Sequence, residues 1–233
     1  MKNAARLMAV AFSFFLYAAS FEPWGIAECA YIFAVPAILA ARSLFSEIPA
    51  PEPPETAARR RRRDGPELLE IPCGEDGGAA GRGEANPRGG ALWLISTFAF
   101  SYAAWAAMLA WLRHVYPPAG WAAALLLPLA VSGLFVWPWF ALLPKLLPGL
   151  RDDPAKRLLR YGGIAGAWVC LEWLRAHLFT GFPWLLLAHS QWRRPAAIQT
   201  AEFGGVWIVS FAVIFFNLAA AEYIWRLYAR QKF

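Results

Sequence analysis

Six apolar stretches, each about as long as a bilayer is thick, leave this chain little choice of architecture. They run over residues 4–20, 24–41, 91–112, 119–143, 158–174 and 203–225. A membrane-crossing helix needs about 20 apolar residues. In hydrocarbon the backbone must satisfy its own hydrogen bonds, so a spanning segment of this length forms a helix. The pattern predicts an all-α, polytopic integral membrane helical bundle of about six transmembrane helices with a long disordered loop. Composition agrees: 59% of the 233 residues are hydrophobic, even though one polar stretch dilutes the average.

The first stretch follows Lys2 and Arg6 and ends in small residues, as a signal peptide would. A second apolar run follows almost at once, which favours an uncleaved anchor. The fourth stretch contains Pro128 and Pro138. Proline removes a backbone N–H and frees a carbonyl, so this helix is expected to bend. The fifth carries Gly162, Gly163 and Gly166, a spacing that would let a neighbouring helix approach closely. Three parts result: residues 1–42 with two helices, 43–90 as a cytoplasmic loop, and 91–233 as a four-helix region.

Residues 43–90 hold seven Arg and nine Asp or Glu, with many Pro and Gly. Such a segment buries too little apolar surface to offset its backbone entropy. The run of arginines at 59–63 is expected to be a solvated topology signal, with contact to anionic lipid headgroups as the alternative. Its glycines follow no predicted strand, so a phosphate-cradling loop is not expected.

Charge placement orients the bundle. With the N-terminus in the cytoplasm and six alternating spans, eighteen of the 22 Lys and Arg fall on the cytoplasmic side. The other four are Arg113, Arg175, Arg193 and Arg194. Cytoplasmic loops carry the excess of basic residues, so both termini are expected inside and residues 175–202 outside. The net charge of +6 is accounted for by topology, and nucleic-acid binding is not expected.

The outer segment, residues 176–202, is the least regular part of the chain. Its apolar piece, residues 179–188, is too short to span, and Gly181-Phe182-Pro183-Trp184 breaks it. A re-entrant or interfacial segment fits that length, and Trp184 and Trp192 suit the headgroup level. Just before it, Glu172 and Arg175 lie three residues apart, on one helix face and close enough to pair. A lone carboxylate in hydrocarbon costs roughly 2.5–3.5 kcal/mol, so a partner is expected. Glu28, Glu202 and Glu222 flank spans and are expected to reach water. Asn217 lies within the sixth span, where a buried amide serves as packing glue.

Other chemistry is sparse. His114, His177 and His189 are separated and form no metal site with carboxylates. Cys29, Cys73 and Cys170 have no metal or disulfide spacing; Cys29 and Cys170 are expected as inert core thiols. There is no GxSxG elbow, and the four lysines all fall on the cytoplasmic side. No catalytic residue, metal site or cofactor is assigned.

The stretch Glu172-Trp173-Leu174-Arg175, followed by Thr180-Gly181-Phe182-Pro183-Trp184 and by Ser190-Gln191, resembles apolipoprotein N-acyltransferase. Two further matches accompany it. Phe21-Glu22-Pro23-Trp24-Gly25 with Val35-Pro36 resembles the junction of that family's first two helices. Gly205-Val206, Ser210-Phe211 and Asn217 resemble the helix after the motif. The likeness covers about residues 4–41 and 91–225 and omits the insert. Ala188-His189 departs from it, standing where the family usually shows Gly-Tyr.

The resemblance implies a bacterial inner-membrane enzyme that moves an acyl chain from a phospholipid to the α-amino group of a diacylated lipoprotein's cysteine. It implies a cysteine thioester with a glutamate base and a lysine on an outward-facing nitrilase-like domain. That set is not expected within this chain, so activity would require a nitrilase-like domain, possibly encoded separately. Substrate contacts are expected at Glu172, Arg175, Thr180, Gly181, Phe182, Pro183, Trp184, His189 and Gln191. The expected partners are the phospholipid acyl donor, the diacylated lipoprotein and membrane lipids. The alternative is a non-catalytic membrane scaffold or partner-docking protein derived from the same family.

Overall fold

The computed structural model describes residues 2–45, 87–115, 117–149, 152–178 and 181–230, and the described residues are helical apart from short turns. In chain order the helices are α1 Lys2–Ala19, α2 Cys29–Ile32, α3 Val35–Phe45, α4 Pro87–Met108, α5 Pro117–Val131, α6 Trp137–Leu146, α7 Pro154–His177, α8 Pro195–Ile198 and α9 Gly205–Arg230. Short 3-10 segments at Ala110–His114, Leu187–Gln191 and Gln199–Phe203 lie between them. Helices α3 and α4 extend a few residues into the predicted loop; residues 46–86, including Cys73 and the arginine run, lie outside the described residues.

Three helical segments are long and apolar enough to cross a bilayer, Arg88–Met108, Ala119–Leu146 and Gly205–Tyr228, and two shorter apolar ones are Asn3–Ala19 and Cys29–Leu44. Helix α7 has 24 residues, a rise of about 36 Å, but carries charges at both ends. These six segments match the six expected stretches. The second starts later than expected, because residues 20–28 form a turn.

Local chemistry sets the boundaries. Asp153 caps α7 by accepting from the N–H groups of Ala155 and Lys156, at 3.0 and 3.3 Å, with Pro154 at the first position; both features suit a helix start. The same helix ends where Gly181 adopts φ +74°. A Cβ there would sit 2.4 Å from the carbonyl oxygen of Ala176, so only glycine fits.

The expected bend in the fourth stretch is present in a specific form. A π turn, Ser132–Val136, joins α5 to α6 directly before Pro138, with the Trp137 N–H reaching Ser132 O. The proline cannot donate its N–H to the preceding turn, and a local π adjustment absorbs the misfit. Ser132 Oγ at 2.6 Å from Ser101 Oγ ties the turn to α4.

Helix α1 packs chiefly on α4 and α3, and α9 on α7 and α3. Between them lies an aromatic core. Trp168 meets Trp139 edge-on at 5.2 Å, Tyr17 lies 5.1 Å from Phe33, and Phe14 4.7 Å from Phe140. The indoles of Trp139 and Trp93 donate to the carbonyls of Ile164 and Phe140, at 2.9 and 3.0 Å. The glycines of α7 do not serve as expected: a Cβ on Gly162, Gly163 or Gly166 would meet nothing within 4 Å, so no helix approaches there. Cys170 is exposed on this side, not a core thiol, and Cys29 is half-buried.

Asn217 is the glue between α9 and the second stretch. Helices α2 and α3 are separate, with Pro36 just beyond the break. The side chain of Asn217 fills that break: Oδ1 accepts from Ala34 N at 2.9 Å and Nδ2 donates to Ala30 O at 2.8 Å. These two groups are four residues apart and would bond each other in an unbroken helix.

The ends of the bundle are built differently. At one end, Arg42 (α3), Tyr161 (α7) and Arg226 (α9) converge on Glu222. Arg42 Nη2 lies 2.5 Å from Glu222 Oε2, Tyr161 donates to the same oxygen at 2.6 Å, and Arg226 Nε sits 2.5 Å from Oε1. Glu222 is expected from the sequence to reach water; it is a buried hub, because α3, α7 and α9 bring Arg42, Arg157 and Arg226 to it. The other end is covered by residues 181–204.

Candidate functional site

Residues 181–204 form a cap folded over the end of the bundle where α1, α7 and α9 meet. Two buried charged residues hold it. Glu172, 4% exposed, accepts from Leu187 N at 2.7 Å through Oε1. Arg175, 3% exposed, donates to Trp184 O at 2.7 Å and to Leu185 O at 3.3 Å. Its guanidinium lies 4.9 Å from the Trp105 ring centre and 5.9 Å from that of Phe182.

The direct Glu172–Arg175 ion pair expected from their spacing is not formed. Both side chains do share a face, but that face meets a segment with no regular ladder of its own. The N–H of Leu187 and the carbonyls of Trp184 and Leu185 need partners, and a buried backbone group left alone is costly. Charged groups supply the strongest such bonds.

The anchored backbone is strained at Leu185, a non-glycine residue at φ +55°. That kink turns the chain so that Pro183 and Trp184 face outward while Leu186, Leu187 and Ala188 go in, and Phe182 is half-buried against the core. Trp184 is 49% exposed and stacks on Trp111 at 5.5 Å; Phe182 lies 5.6 Å from it. His189 opens to the same surface. Crowding by surrounding groups, and then the nearby Arg175 cation, lower its pKa from the ordinary imidazole value, so it is neutral at pH 7.

Gln191 faces the other way. It is fully buried and donates to Ala27 O at 3.0 Å and Ser190 Oγ at 2.9 Å. It anchors the cap to the turn between α1 and α2, and its Oε1 has no hydrogen-bond partner among the described residues. Ser210 accepts from Ala188 N at 3.0 Å and anchors the cap to α9. At the rim, Arg193 pairs with Glu22 at 3.1 Å and Arg194 pairs with Glu28. Glu28 therefore has a cationic partner where only water was expected.

The nine expected contact residues thus divide. Pro183, Trp184 and His189 share an accessible rim, and Phe182 is half-buried against the core beside them. Glu172, Arg175, Gly181 and Gln191 lie beneath or behind it as supports, and Thr180 is outside the described residues. Sequence reasoning missed the supports Trp105, Trp111 and Ala27. Trp105 and Trp111 belong to the third apolar stretch and its end, and no spacing links them to residue 184. Among the described residues no group of three His, Cys, Asp or Glu comes together as a metal site.

The comparisons with known proteins bear on this arrangement. The model of the family "Apolipoprotein N-acyltransferase N-terminal domain" matches residues 83–219, which include α4 to α7, the cap and most of α9. The chain belongs to that family. It is similar to the apolipoprotein N-acyltransferase of Rhodopirellula baltica, with 34% identity over 137 residues, 54% of this chain and 23% of that protein. It is 34% identical over 140 residues to that of Azotobacter vinelandii, 56% of this chain and 25% of the relative. For Geobacter metallireducens the identity is 31% over 138 residues, 58% of this chain and 26% of the relative. Each match covers about a quarter of the relative's length. The Glu172 to Gln191 motif lies wholly inside the family match, so the apolipoprotein N-acyltransferase resemblance rests on the region that builds the cap.

Proposed function

We propose that this chain is the membrane portion of an apolipoprotein N-acyltransferase, holding a phospholipid acyl donor and a diacylated lipoprotein side by side while an acyl group moves to the lipoprotein's N-terminal cysteine. The observation that carries this reading is the cap. Its exposed rim, Pro183 and Trp184 with His189, is fixed to the bundle by two buried ions, so it stands at a set position over the helix ends.

Both reactants are lipid-anchored. Holding them in register at one surface converts an encounter into a positioned reaction. The rim suits that place. Trp24, Trp111, Trp121, Trp173, Trp184 and Trp192 are exposed around the capped end, whereas Trp93 and Trp225 toward the other end are buried. Tryptophans of this kind settle at headgroup depth. The count of basic residues supports a cap on the non-cytoplasmic face of the inner membrane, with both termini in the cytoplasm. Within this proposal the covalent step, a thioester on cysteine, belongs to a nitrilase-like domain, on the same polypeptide or encoded separately.

The test is direct. The purified chain is given phospholipid and a diacylated lipopeptide, with and without a nitrilase-like domain of the family. N-acylated peptide is expected only when that domain is present. Product from the chain alone would refute the division of labour; no product under either condition, with lipopeptide binding also absent, would refute the reading itself.

A further inference from the structure

Behind the bond between Glu172 and Leu187 lies a small cavity whose walls include Tyr17, Phe135, Val136, Trp168, Glu172 and Arg175. It offers about 10 Å³ for the centre of a water molecule, which is room for one. Phe135 and Val136 belong to the π turn, so the wider helical turn lies against the cavity.

Two of the lining residues carry a buried polar atom without a partner. Glu172 Oε2 and Trp168 Nε1 form no hydrogen bond among the described residues. Leaving such atoms unsatisfied is costly, so a partner is expected. The Trp168 and Ser210 side chains both come within hydrogen-bonding range of the Glu172 carboxylate, yet no direct bond to Oε2 or from the Trp168 indole meets the required geometry. Glu172 Oε2 is an acceptor only, if ionised; Trp168 Nε1 is a donor only.

The group that satisfies both must donate and accept at once. An ammonium or a metal ion cannot accept from the indole N–H. A halide cannot donate to the carboxylate. A hydroxyl can do both, and the volume admits nothing larger than water. We propose that a single ordered water is bound here, donating to Glu172 Oε2 and accepting from Trp168 Nε1. The Tyr17 side chain, buried on the same wall and within electrostatic reach of both Glu172 and Arg175, offers a third partner through its hydroxyl. With both carboxylate oxygens engaged, Glu172 is held on one side by the water and on the other by the cap. The water thereby ties α7 to α1 through Tyr17 and to the cap through Glu172, and this holds whether or not the chain takes part in acyl transfer.

The experiment uses the full chain in detergent micelles with 15N-labelled tryptophan. The Trp168 indole signal is assigned by its loss in Trp168→Phe, and its contact with water is read by nuclear and rotating-frame Overhauser effects. A bound water is expected to give a cross-peak whose two effects have opposite signs, as for protons of the protein itself. The peak should persist in Tyr17→Phe, which removes a hydroxyl of the cavity wall that could relay the signal by exchange. Two results would overturn the site. One is no water cross-peak, together with an indole shift that moves when Glu172→Gln is made; the two side chains then bond directly. The second is loss of the peak in Tyr17→Phe.

Discussion

Leu185 holds a left-handed backbone that costs a side-chain-bearing residue about 1–2 kcal/mol, and Arg175 keeps it there by bonds to its carbonyl and its neighbour's. Arg175→Gln should release that turn. The expected cost is about 1.5–3 kcal/mol, typical of hydrogen bonds to a charged group, read as faster proteolysis within residues 181–186. Gly181→Ala should be as damaging, about 1–3 kcal/mol, because it meets the Ala176 carbonyl in a positive-φ conformation. His189 reports the same environment. Its folded pKa lies below the unfolded one, so its stabilising contribution is full above the ordinary imidazole pKa and falls away as pH drops through the folded value. Titration followed by NMR should show a midpoint below 6.5, and Arg175→Gln should raise it by removing a cation. The sequence showed that Glu172 and Arg175 share a face. It could not show what that face meets, because the groups they serve are carbonyls and an N–H, which no side-chain pattern encodes.

At the scale of helices, hydrophobic runs placed six helical segments, three of them long and apolar enough to cross a bilayer. Interruptions were harder. Pro128 and Pro138 pointed to a bend, but the π turn that carries it depends on how Ser101 and the neighbouring helix receive it. The glycines of α7 misled, because their spacing permits a close approach without supplying the helix that makes one. The break between α2 and α3 has no sequence signature beyond Pro36, yet it is healed from 183 residues away by Asn217. Asn217→Leu should cost roughly 1–2 kcal/mol on the scale of membrane interhelical hydrogen bonds. Unfolding in mixed micelles measures this, and the Ala34 amide should exchange faster in the variant.

Across the whole molecule the two ends are secured by different forces. The cap end rests on charge-to-backbone bonds and buried amides; the opposite end rests on ions gathered around Glu222. Glu222→Ala should leave Arg42 buried without its carboxylate, at a cost of about 3–5 kcal/mol, and the loss should appear as a lower unfolding temperature. Membrane sidedness is tested with single cysteines on a cysteine-free background. Position 184 should react with an impermeant reagent from outside the cell, and position 226 only after permeabilisation. If position 184 proves internal, the proposal of lipoprotein acylation fails. The side assignment came from eighteen basic residues against four, and many of the eighteen lie in segments of which only the sequence speaks.

The amide splice also imposes an order on biogenesis. Residues 29–45 emerge from the ribosome long before residue 217, and until α9 arrives the Ala30 carbonyl and Ala34 N–H lack the partner that completes them. The early hairpin therefore waits in an unfinished state, and α9 acts as the latch whose arrival closes it.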